Sequence, residues 1–105
     1  MSTTLEPPKA PTKSPEIDVH SFEHHWQDEA DAAYLYRLLA AAEPDAKKKD
    51  TYSRLADVED RHVVVWSELL TAHGHPPPNF RPSGRAKLLA TLGRWFGPSF
   101  LLPML

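Results

Sequence analysis

Residues 21–73 read SFEHHWQDEADAAYLYRLLAAAEPDAKKKDTYSRLADVEDRHVVVWSELLTAH, and their periodicity decides the fold. At 100° per residue, Phe22, His25, Trp26, Ala32, Ala33, Tyr36, Leu39 and Ala40 fall on the same side of a helix as Glu29. After Glu43-Pro44-Asp45, a second stripe of Tyr52, Leu55, Ala56, Val63, Trp66 and Leu70 centres on Glu59, with His62 one turn on. Arg54, Asp57, Asp60, Arg61, Ser67 and Glu68 fill the opposite side. Asp18 or Ser21 can cap the first helix, which is expected to run to about Ala42. Pro44 disfavours a helical Glu43 and suits the first turn of a new helix, so the second helix is expected from about Asp45 to His73, stopped by Gly74. The far side of the first helix is mixed. Gln27, Asp28 and Asp31 are polar, whereas Tyr34, Leu35 and Leu38 call for a second buried surface.

Length and composition bound the answer outside this run. A chain of 105 residues, 41% hydrophobic and 25% charged, makes one small domain of ordinary globular composition. A net charge of −2 gives no global reason to expect nucleic acid. With no cysteine there is no disulfide, thiolate metal site, iron–sulfur cluster or thiol nucleophile, which suits a cytoplasmic location. The N-terminus lacks a secretory pattern, and no apolar run reaches the ~18 residues of a membrane span. Residues 1–17, with four prolines and few large apolar side chains, are expected to form a disordered arm. Residues 75–82, HPPPNFRP, predict a stiff extended linker. Ser83 can cap a third helix from Gly84 to about Phe96, ended by Gly97-Pro98. Leu88, Leu89, Leu92, Trp95 and Phe96 form its apolar face, beside Arg81, Arg85, Lys87 and Arg94. An apolar tail completes the segment 83–105.

The short turn makes the first two helices antiparallel neighbours. Glu29 lies 13 residues before Ala42 and Glu59 lies 14 after Asp45, so both sit at one level, about 20 Å from the turn at ~1.5 Å per residue. Two carboxylates and the His62 imidazole therefore converge. Carboxylates on an apolar stripe are costly unless something pairs with them. Di-iron bundle sites use a Glu from each of two helices and Glu-x-x-His from each of the other two. One hairpin supplies half of that set, and two copies supply all of it. A two-helix hairpin also cannot cover its own stripes. We therefore expect an all-α fold: an antiparallel helical hairpin (18–74) plus a short C-terminal helix, dimerising into a four-helix bundle. Carboxylate plus imidazole suits iron, with Glu59 of each copy bridging two metals for reaction with dioxygen or peroxide. Tyr36 and Tyr52 are candidates for hydrogen bonding or electron donation near the site, as is Trp26, which lies level with His62; core packing is the alternative for each. Asp28 and Asp31 flank Glu29 and either draw iron in or form a solvated helix edge. Two alternatives stand beside this reading. Glu29 and Glu59 could be rim residues in ordinary ion pairs, since Glu-x-x-His alone is a weak motif. His20, His24 and His25 could hold Zn(II) or Cu(II), or form a hydrated surface patch.

His25-Trp26-Gln27-Asp28-Glu29, Tyr34-Leu-Tyr36-Arg37, Glu43-Pro44 and Leu55-Ala-Asp-Val-Glu59-Asp-Arg-His62 resemble the ferritin-like superfamily on its rubrerythrin side. The run to Trp95-Phe96-Gly97-Pro98 is similar to the short ferritin-like domain fused to vacuolar-iron-transporter-type membrane proteins, and the half-motif resembles encapsulated ferritins. The resemblance covers residues 20–105. It implies ferrous iron binding and oxidation with Glu29, Glu59 and His62 as ligands, a ferroxidase centre shared between chains, and a membrane transport domain after Leu105. On that view the chain is a fragment or a free-standing relative. It handles iron storage, detoxification or delivery, at the cytoplasmic face of a membrane if the third helix is a membrane-surface adaptor. Otherwise the third helix packs on the Tyr34/Leu35/Leu38 side of the first or caps the dimer. The competing functions are a non-catalytic oligomerisation or membrane-adaptor module and a metal-binding sensor without turnover.

Overall fold

Each long helix begins where a side-chain oxygen meets an N–H that has no partner within the helix. In the computed structural model, which describes residues 18–105, α1 (Val19–Ala42) is capped by Asp18, whose carboxylate accepts from the Ser21 N–H at 3.2 Å. Asp45 does the same for α2 (Ala46–Ala72) through the Lys48 N–H at 2.9 Å, and Ser83 for α3 (Gly84–Phe96) through the Ala86 N–H at 3.1 Å. The ends follow from backbone freedom. Gly74, at φ 80°, and Gly97, at φ 88°, take the left-handed conformations that close α2 and α3. Glu43 is extended before Pro44, which separates α1 from α2. The segment 75–82 has no regular secondary structure, as its prolines require. The apolar tail folds into a single-turn helix, α4 (Pro98–Leu101), and a 3₁₀ turn (Leu102–Met104), elements the sequence reading did not assign. The expected N-terminal arm lies outside the described residues.

α1 and α2 pair antiparallel in the expected register. Phe22 meets Trp66 and His73, the Trp26 indole donates to Ser67 Oγ at 3.0 Å, Glu29 meets His62, and Arg37 reaches Asp57 and Asp60. Small buried residues, Ala30, Ala33, Ala40 and Ala56, let the two backbones approach. The second surface of α1 is covered by α3 and α4: Leu35, Leu39 and Ala40 pack with Ala86, Leu89, Ala90 and Leu101, with Tyr34 at the edge. Two details differ from the sequence reading. Leu38 is exposed beside a groove under α3, and Leu55, expected between the helices, is exposed on the outer edge of α2. Among the described residues no helix is long and apolar enough to cross a membrane.

Candidate metal centre

The register set by the Glu43-Pro44 turn delivers three polar side chains to one spot. α1 carries Glu29; α2 carries Glu59 and, one turn later, His62. His62 Nδ1 lies 3.1 Å from Glu29 Oε1 and 3.4 Å from Glu59 Oε1. One ligand atom from each residue falls within 4.8 Å of the others, and this trio can hold a metal ion. Among the described residues it is the group of three or more His, Asp or Glu side chains with that geometry. Glu59 is the innermost by side-chain exposure, at 21%, and its buried Oε1 has no hydrogen-bond partner. A buried acceptor left bare costs about 1–3 kcal/mol, so it calls for a proton or a cation.

Protons occupy the site in the absence of metal. Burial, then contact with Glu29, pushes the Glu59 carboxyl up to about 7. The same contact with Glu59 holds Glu29 below its ordinary value, against its own partial burial and with help from His62 and the Trp66 indole. Glu29 in turn raises the His62 imidazole. The site thus holds a Glu29 carboxylate, a His62 ring that keeps its proton to higher pH than a free imidazole, and a Glu59 near half-protonation at neutral pH. A divalent cation can replace those protons and satisfy all three groups, and the hard-oxygen and imidazole set fits Fe(II) as well as Mn(II) or Zn(II). Tyr36 stands close enough to Glu59 for the carboxylate charge, after burial, to raise its phenol. Tyr36 also packs against the buried core.

The other candidates are engaged elsewhere. Trp26 is buried, bonded to Ser67 and edge-on to Phe80. Tyr52 belongs to the core. Asp28 is exposed and pairs with His24 at 3.5 Å. Asp31 corrects the sequence reading of a solvated helix edge, since it is buried and its carboxylate is taken up by the start of α3. At 6% exposure it accepts from Gln27 Nε2 at 2.9 Å, the Ser83 N–H at 3.1 Å and Ser83 Oγ at 2.6 Å, tying the start of α3 to α1. The histidines at 20, 24 and 25 do not converge; His25 stacks on Trp66 at 4.8 Å and 15°. Trp66 is the residue whose part was missed. Phe22 and His25 hold its ring on two sides, and its indole contributes to the charge on Glu29. The same level-matching that pairs Glu29 with Glu59 places Trp66 one turn past His62, and could have shown this. Comparison of the chain with protein-family models, curated proteins and solved structures finds no match.

Proposed function

We propose that this chain binds Fe(II) through Glu29, Glu59 and His62 and that two copies join to oxidise it, as a ferritin-like four-helix bundle with a di-iron ferroxidase-type centre at the interface. The observation that carries the reading is the buried Glu59 Oε1, which lies 3.4 Å from the His62 ring and beside the Glu29 carboxylate without a hydrogen bond of its own. A metal ligand needs a free lone pair, and a cation here would satisfy both carboxylates and the imidazole at once. Support for the second copy comes from the surface. The outer edge of α2 beside the site exposes Leu55, His62 and Val65, while α3 lies against α1 and leaves that edge bare. Three ligand side chains also leave coordination positions that a second trio would fill.

Iron is the substrate in this reaction. Two Fe(II) ions each lose one electron, and dioxygen takes the pair with two protons to leave as hydrogen peroxide. Glu29 and Glu59 supply anionic oxygens that favour the ferric product, and the proton displaced from Glu59 is available to the reduced oxygen. His62 holds its ring toward both carboxylates and orients them. Purified chain is expected to oxidise Fe(II) in air faster than buffer, with a dimer seen by sedimentation. Glu59→Ala and His62→Ala should return the rate to that of buffer. Native and variant chains oxidising iron equally fast would sink the ferroxidase reading, and a chain monomeric with and without iron would sink the shared site.

A further inference from the structure

The surface of α3 that turns away from α1 divides into two sectors. With Leu88 as reference at 3.6 residues per turn, Trp95, Leu88, Leu92 and Phe96 cover about 100° of the circumference. Lys87 and Arg94 lie on one flank, Arg85 falls between Leu92 and Phe96, and the buried Ala86, Leu89 and Ala90 occupy the side facing α1. The apolar sector is open: Trp95 is 78% exposed, Phe96 64% and Leu88 58%. Lys87-Leu88 and Arg94-Trp95 repeat seven residues apart, so the two cations line up along the flank and Leu88 and Trp95 line up in the apolar sector beside it.

Charge along the chain says what covers this face. All fourteen Asp and Glu residues precede residue 69, and from there to Leu105 the ionised side chains are Arg81, Arg85, Lys87 and Arg94. In a chain of net charge −2, residues 69–105 thus carry four cationic side chains and no acidic one. We propose that α3 lies in the headgroup region of an anionic lipid membrane, with Trp95, Phe96 and Leu88 inserted at the acyl boundary and Lys87 and Arg94 on lipid phosphates. Exposed tryptophan beside basic side chains is the pattern that interface accepts, because the indole is apolar with one polar N–H and the cations extend from apolar stems. Nucleic acid fits less well, since Leu88 and Phe96 would gain nothing from a phosphate backbone. A second copy of the chain offers acidic surface on α2, but Asp57 and Asp60 there already bind Arg37.

Flotation with vesicles tests this. The full chain is expected to float with phosphatidylcholine–phosphatidylglycerol vesicles at about 7:3 in ~0.15 M salt, to stay behind with pure phosphatidylcholine, and to be released at ~0.5 M salt. The charge-reversed pair Lys87→Glu/Arg94→Glu should lower partitioning more than about tenfold, and Trp95→Ala about tenfold. Helix content by circular dichroism should be unchanged in both, because these side chains are exposed. Val64→Ser, exposed on α2, should float like the native chain. Absence of flotation, or equal flotation with neutral lipid, overturns the proposal. So does duplex DNA binding as tightly as the anionic vesicles at equal phosphate concentration, or Trp95→Ala changing the sedimentation mass and not the flotation.

Discussion

Glu59 ionises near its ordinary value of 4.5 in the unfolded chain and near 7 in the folded one. The folded chain therefore binds the extra proton between those values, and stability falls as pH rises through that window. His62, raised in the fold, acts in the same direction: its contribution is complete below about 6.5 and is lost as pH climbs through its folded value. Glu29, lowered, loses its contribution only when pH drops through its folded value, below 4.5. Metal-free chain should thus melt at higher temperature at about pH 5.5 than at about pH 8, and Glu59→Gln should flatten that slope. An unaltered slope in the variant, read by circular dichroism, would clear Glu59 of the effect. The same proton must leave when a cation arrives, so calorimetry in two buffers of different ionisation enthalpy should show proton release near pH 6.5. At this scale the sequence was informative where periodicity alone sets position: Glu29, Glu59 and His62 meet because helix rise and a short turn dictate it. Asp31 was illegible for the opposite reason. Its partner Ser83 lies 52 residues away across a linker whose path no local rule supplies.

The joint between α3 and the hairpin rests on two such details. Asp31→Ala removes a buried acceptor of three hydrogen bonds and should cost about 2–3 kcal/mol in urea unfolding, with earlier tryptic cleavage at Arg85 and Lys87 as α3 loosens. Gly93 is the second. A Cβ there would meet Leu101 Cγ at 2.9 Å and Cδ1 at 2.5 Å, so Gly93→Ala should displace α4 at a cost of about 1–3 kcal/mol. Combining it with Leu101→Ala should be non-additive, because once the leucine is gone the alanine only favours the helix. Element boundaries were readable in advance because Asp18, Asp45, Ser83, Gly74 and Gly97 act locally, each on the helix it adjoins. α4 was not. Pro98 and Pro103 bracket it as breakers, and the turn between them forms because Leu101 finds a slot over Gly93, a tertiary reason.

For the molecule as a whole, a pair of substitutions separates assembly from chemistry. Leu55→Glu with Val65→Glu charges the bare edge of α2 while leaving Glu29, Glu59 and His62 in place. On the shared-site reading the variant should sediment as a monomer and lose iron oxidation together. A dimer with full activity would show that the second copy docks elsewhere. The all-helical class and the α1–α2 pairing were legible because one stripe and one turn specify them; the packing of α3 on α1 could be read only as one option, and it uses Ala86, Leu89 and Ala90 where the sequence pointed to the larger Leu88, Trp95 and Phe96. The three indoles have a practical consequence. Trp26 sits in the dry interior, Trp66 beside the paired carboxylates, and Trp95 in water. Their emission should therefore span the blue to the red of the tryptophan range, and a paramagnetic ion at Glu29 should extinguish the Trp66 component first. The unlabelled chain would then report the filling of its own site as a change in colour.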